Sequence, residues 1–167
     1  GLNKNLTLRG GFTTTNWVTP DPNRNATILD AQRAGRGVDV SSGVLAAVSG
    51  FHLTGGWVSA QYGGGVRNNG DLTLEDCLIY GNEADYGGGA ANGDDDVDAA
   101  LVIRRSQVFS NQARVFGGGL NIRQGTALVE VAEVFSNSAG NHAGGIVVVD
   151  AEVVVRSSLI YSNSTAA

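Results

Sequence analysis

The stretch "NGDDDVDAA" (92–100) is the densest run of acidic side chains in the sequence. Asp94, Asp96 and Asp98 alternate along it, and alternating carboxylates let a short loop offer several oxygens to one hard cation such as calcium. The pattern lacks the glutamate that closes an EF-hand loop and carries no nonapeptide calcium repeat, so a solvated acidic loop is the competing expectation. Hydrolysis by paired carboxylates would need a second acid across a cleft, and only this one acidic cluster, with Asp95 at its centre, occurs. His52 and His142 have no Cys or His partner at metal-ligand spacing, which points to surface or turn roles. Cys77 is the single cysteine, so no intrachain disulfide exists, and Glu75 and Asp76 just before it oppose thiolate formation. Sequons at Asn5, Asn25 and Asn163 matter only in a glycosylating host.

Those side chains must be positioned by a glycine-rich chain of low charge. The 167 residues include 25 Gly and 2 Pro, 42% are hydrophobic and 16% charged, which suffices for one domain with a real core and speaks against disorder. The net charge of −5, with 11 scattered Lys and Arg, excludes the basic stripe that a nucleic-acid groove needs. No apolar run approaches the roughly 20 residues of a membrane-spanning helix. The chain opens on Gly1 and contains no methionine, as expected of a processed chain or a piece of a longer one.

One phrase recurs four times. Asn82, Asn111, Asn137 and Asn163 are spaced by 29, 26 and 26 residues. Each is preceded at −3 by an aliphatic (Ile79, Val108, Val134, Ile160) and at −2 by an aromatic (Tyr80, Phe109, Phe135, Tyr161). Glycine clusters open the phrases at 63–65, 87–89, 117–119 and 144–145, and short apolar runs ("LTL", "LVI", "LVEV", "VVV") lie between cluster and Asn. A fixed period in the twenties marks stacked repeats, and alternation with glycine and β-branched residues makes the unit strands and turns rather than helices. Missing Leu-x-x-Leu-x-Leu signatures exclude leucine-rich repeats, which leaves a single-stranded parallel β-helix, an all-β solenoid. It is expected to form one domain over 1–167, with irregular first turns in 1–62 and four regular repeats in 63–167. Counting "KNLTLRGGF" (4–12) and "ATILDAQ" (26–32) as separate strands of the first turns gives six or seven turns, roughly 30 Å of solenoid at 4.8 Å per turn. The glycines are expected at one corner and the asparagines at another as a hydrogen-bonded ladder, with the −3 aliphatics inward and the −2 aromatics outward. Val38, Val40, Leu45, Val48, Phe51 and Leu53 are the expected core of 37–56.

The Gly-Gly-Ala/Ile/Val and Asn-x-Ala elements resemble the surface β-helix repeats of chlamydial polymorphic outer-membrane proteins. They resemble still more the right-handed β-helix domains of large secreted bacterial proteins. "NLTLRGGF…ATILDAQ…GVLAAVSGFHLTGG" is similar to the opening turns of such domains, and the resemblance covers nearly the whole chain. It implies a right-handed coil and an extracellular or cell-surface setting. The chlamydial pattern is Phe-x-x-Asn, whereas Ile79, Val108, Val134 and Ile160 occupy the matching positions here.

Many proteins of this fold act on acidic polysaccharides. The pectin hydrolases among them carry Gly-His-Gly and Arg-x-Lys motifs, both missing here, and Arg104-Arg105 has no partner motif. The expectation is therefore a non-catalytic extracellular module, an adhesin or fibre segment, in which Trp17, Trp57, Tyr62 and Tyr86 contact sugars or protein partners. The alternatives are a subunit that stacks head to tail on further copies, and a polysaccharide lyase or hydrolase. Calcium at Asp94, Asp96 and Asp98 is the one candidate cofactor.

Overall fold

The computed structural model describes residues 1–94 and 96–166. Among them the chain forms four parallel sheets of six, six, four and five strands. Sheet one contains Leu6–Arg9, Leu45–Ser49, Asp71–Glu75, Ala100–Arg104, Gly125–Glu130 and Ala151–Arg156. Sheet two runs Thr27–Asp30, Phe51–Thr54, Leu78–Tyr80, Gln107–Phe109, Glu133–Phe135 and Leu159–Tyr161. The short sheet three holds Glu83–Tyr86, Gln112–Phe116, Ser138–Ala139 and Ser164–Thr165. Sheet four closes each coil with Val38–Val40, Val66–Asn68, Ala90–Asn92, Leu120–Ile122 and Ile146–Val148. Each strand pairs with its counterpart one coil away, so the fold is a right-handed parallel β-solenoid, the hand that parallel crossovers strongly prefer.

The coil count is about five rather than six or seven. Residues 4–12 and 26–32 contribute strands to different sheets of one coil, because 13–25 leaves the coil's path as a loop and returns to it. At 4.8 Å per coil the solenoid rises roughly 24 Å.

The core is a set of axial columns. Leu29, Leu53, Ile79, Val108, Val134 and Ile160 stand in register on sheet two, and Ile79, Val108 and Val134 are fully buried. Leu74, Ile103 and Val129 do the same on sheet one. Leu45 departs from expectation and is 54% exposed. The register sets Ala46 and Val48 opposite Leu72 and Leu74, so strand alternation sends Leu45 outward with Asp71. Phe51 is half-buried against the core rather than within it.

Between sheets one and two, every coil after the first turns on one residue in the left-handed region: Gly50, Asp76, Arg105, Val131 and Ser157. For a β-branched residue this conformation is strained by about 1–2 kcal/mol. Val131 has φ 51° and is 54% exposed, so its side chain gains little burial in return. Val131→Asn is expected to raise stability by about 1 kcal/mol, read as a melting-temperature increase of about 2–4 °C. An unchanged or lowered melting temperature would contradict strain at this corner.

Candidate functional site

The asparagine ladder is the most regular polar structure in the molecule. Nδ2 of Asn82, Asn111 and Asn137 each donates to Oδ1 of the next asparagine at 3.0 Å, ending on Asn163. Each Oδ1 also accepts the backbone N–H of the asparagine one coil before. The ladder lies at the corner between sheets two and three, where backbone groups would otherwise lack partners. Asn163 is held by Asn137 and donates to the Val134 carbonyl at 2.9 Å, which commits its amide to the ladder. A second, shorter pair links Asn68 Nδ2 to Asn92 Oδ1 at 2.7 Å beneath sheet four.

The acidic loop divides. Asp94 turns onto the outer face of sheet four, where its Oδ2 accepts from Asn69 Nδ2 at 2.8 Å and Arg67 Nη1 at 3.2 Å. Arg67 also forks onto Asp39 at 2.7 and 3.0 Å. That hydrogen bonding raises the Arg67 guanidinium above its ordinary value, whereas burial first and the charge of Arg67 second lower Arg36 beside it. Asp96 and Asp98 are exposed, and Asp95 lies outside the described residues. Among the described residues, no three acidic, His or Cys side chains are gathered as a metal shell. A cation drawing on Asp94 Oδ2 would have to compete with the Arg67 guanidinium.

Of the four aromatics expected to contact ligands, only Tyr62 and Tyr86 come together. Tyr62 and Tyr86 stack at 4.8 Å and continue through Phe116 and His142 as one column. Arg123 lies over the Tyr62 ring at 6.0 Å, so much of these ring faces is already covered. Trp57 is half-buried under the Arg33 guanidinium. Trp17, in the 13–25 loop, stacks on Phe12 and is 72% exposed. A parallel column, Tyr80, Phe109, Phe135 and Tyr161, faces outward from sheet two with rings 5.0–5.1 Å apart. The Tyr62 column has its own sequence signal: an aromatic ring directly before each of the first three glycine clusters, and His142 one residue further from the fourth, across Ala143.

The outer face of sheet one is the broadest exposed strip. Alternation sets Thr7, Ala47, Thr73, Val102, Leu128 and Val154 along its centre. One flank carries Leu45, Asp71, Ala100, Thr126 and Glu152. The other carries Ser49, Glu75, Arg104, Glu130 and Arg156, with Arg104 and Arg156 both bound to Glu130 at 2.8 and 2.6 Å. The Arg156 bond chiefly, then that of Arg104, holds the Glu130 carboxyl below the usual carboxylate range. Two shallow depressions of about 470 and 320 Å³ share Ala100 and Val102, and together they form a trough along the solenoid axis. The inward-pointing runs that reveal the repeat carry no sign of this outer trough.

Cys77 occupies a corner column with Ser106, Ala132 and Ser158. Ser106 Oγ accepts the Cys77 N–H at 3.0 Å, and the Cys77 thiol donates to the Glu75 carbonyl at 3.2 Å. Burial pushes this thiol up to about 11. Its contribution to stability, about 2–3 kcal/mol, is fully present below the ordinary thiol value and is lost as pH rises through about 11. Native protein is therefore expected to resist iodoacetamide at mildly alkaline pH, and Cys77→Ser to flatten the alkaline fall in stability. Rapid labelling of the folded protein would contradict this.

Among the described residues, no helix is long and apolar enough to cross a membrane. Comparison with protein-family models, curated proteins and solved structures finds no match to the chain.

Proposed function

We propose that the chain is a non-catalytic extracellular β-solenoid module, a surface adhesin or fibre segment that binds an extended partner along sheet one. The observation that carries this reading is the axial trough, with its apolar centre at Val102, Leu128 and Val154 and its charged flank at Arg104, Glu130 and Arg156. A partner laid along the axis meets an apolar centre on three successive coils, Val102, Leu128 and Val154, beside a flank whose charge alternates, which suits an extended glycan or peptide. Screening the chain against glycan and peptide arrays tests it. Val102→Glu with Leu128→Glu places charges on an outward face and leaves the core columns intact. Hits lost in that variant support the trough, whereas hits that survive it, or none at all, remove its support.

Head-to-tail assembly is favoured by a different observation. Ile160 is 48% exposed although its column mates Ile79, Val108 and Val134 are fully buried, and Val148, Val155 and Leu159 are exposed beside it. Leu6 and Ile28 are exposed on the first coil. Residues 1–36 carry five basic and two acidic side chains, and the last coil, residues 143–167, carries one basic and two acidic, so the basic end of one copy would meet a weakly acidic end of another. In-register stacking would bring Arg9 to Arg156, an exposed contact of small cost. Ile160→Lys is expected to abolish concentration-dependent growth in light scattering. Monodisperse wild-type protein at high concentration would end this reading.

A further inference from the structure

The 13–25 loop does more than interrupt the first coil. Pro22 and Asn23 fold back toward the outer face of sheet two and close a cleft of about 390 Å³. Its floor is one outward column, His52, Leu78 and Gln107, in register over three coils. Its side wall is the corner pair Asp76 and Arg105, joined by two hydrogen bonds at 2.9 and 3.1 Å.

The polar groups in this cleft differ in availability. Asp76 and Arg105 bind each other, and Arg105 also reaches Glu75 at 2.8 Å. By contrast, the side chains of Asn23, His52 and Gln107 hydrogen-bond to no other group among the described residues. The His52 ring is steadied by an edge-on contact with Tyr80, centroids 6.3 Å apart. Two amides and an imidazole each donate and accept, and Leu78 and Pro22 supply apolar surface between them. A polyhydroxylated ring with an apolar C–H face matches that mixture. The surrounding charge selects further: Glu75 and Asp76 outnumber Arg105, which disfavours an anionic ligand.

We propose that the cleft between the 13–25 loop and sheet two binds a neutral monosaccharide unit. Asn23, His52 and Gln107 hydrogen-bond its hydroxyls, and Leu78 and Pro22 receive its apolar face. The site is on a different sheet from the axial trough and stands whether or not the trough binds a partner.

NMR titration of the full chain with glucose, galactose, mannose and N-acetylglucosamine tests the proposal. At least one sugar is expected to shift the amide signals of His52, Leu78 and Gln107 in a saturable way. Asn23→Ala and Gln107→Ala, both outward-facing, are each expected to weaken that sugar about 3- to 10-fold, the effect of one lost hydrogen bond. Val102→Glu on sheet one is expected to leave it unchanged. Three results would overturn the site: no response to any of the four sugars, undiminished binding in both alanine variants, or glucuronate binding as tightly as the neutral sugars.

Discussion

Replacing Asn111 with alanine is expected to cost about 3–5 kcal/mol, a large fraction of the roughly 5–15 kcal/mol by which a domain is stable. The side chain takes part in four hydrogen bonds at once. Its Oδ1 accepts from the N–H and Nδ2 of Asn82 at 3.1 and 3.0 Å, and its Nδ2 donates to Asn137 Oδ1 at 3.0 Å and the Ile79 carbonyl at 2.9 Å. Truncation leaves the Asn82 N–H buried without its acceptor in a site that water does not reach, and each such orphan costs about 1–3 kcal/mol. Asn163, at the end of the ladder and half-buried, offers the comparison. Asn163→Ala is expected to cost about 1 kcal/mol, because water can replace its bonds. Denaturant titration of the two variants checks the difference. Equal losses would mean that the ladder is not the element holding the coils in register.

The second large effect belongs to the last glycine of each triplet. A methyl group built on Gly119 would lie 2.7 Å from the Gly145 carbonyl oxygen and 2.9 Å from Asn137 Nδ2. Gly89 meets the Gly119 oxygen and Asn111 Nδ2 in the same way, at 2.6 and 2.9 Å. The glycine corner and the asparagine corner therefore touch through the interior, and the missing side chain makes that contact possible. Gly119→Ala is expected to cost about 3 kcal/mol, since neither neighbour is the free end of a flexible side chain. Gly43 separates crowding from backbone strain: its φ is +75° but nothing lies within 4 Å of an added methyl. Gly43→Ala should cost only about 1 kcal/mol. Thermal unfolding of both variants would show it, and similar melting temperatures would refute the crowding argument.

Both features were readable in the sequence because they recur on four successive coils. The aliphatic column from Ile79 to Ile160 and the aromatic column two residues before each Asn were legible for the same reason. What repeats only briefly was not. Asn68 and Asn92 form a ladder of a single rung because Ile122 takes the next position, and two asparagines 24 residues apart do not stand out as a pattern. The first coil reads as more than one in the sequence because the 13–25 excursion puts nearly a full coil's length of chain between two strands of the same coil. Leu45 looks like core in the sequence but faces outward, because hydrophobicity marks an inward residue only once the register is known. The partners of Asp94 were hidden for a related reason. Arg67 and Asn69 are 27 and 25 residues away, and only the coil period brings them alongside. The cleft under Pro22 and Asn23 depends on how one loop folds back, which no periodic signal encodes.

The alternating flank of sheet one has a bearing on how such a rod changes length. Reading Glu75, Arg104, Glu130 and Arg156 along the axis, each sign is followed by its opposite. Excising the coil between Glu75 and Glu130 would bring two carboxylates together, and copying any one coil would juxtapose two like groups. Excising or copying two adjacent coils preserves the order. Each mismatch is worth only a few tenths of a kcal/mol at an exposed position. Even so, the preference has a direction: growth and shortening by pairs meet no electrostatic resistance along this edge, and changes by single windings do.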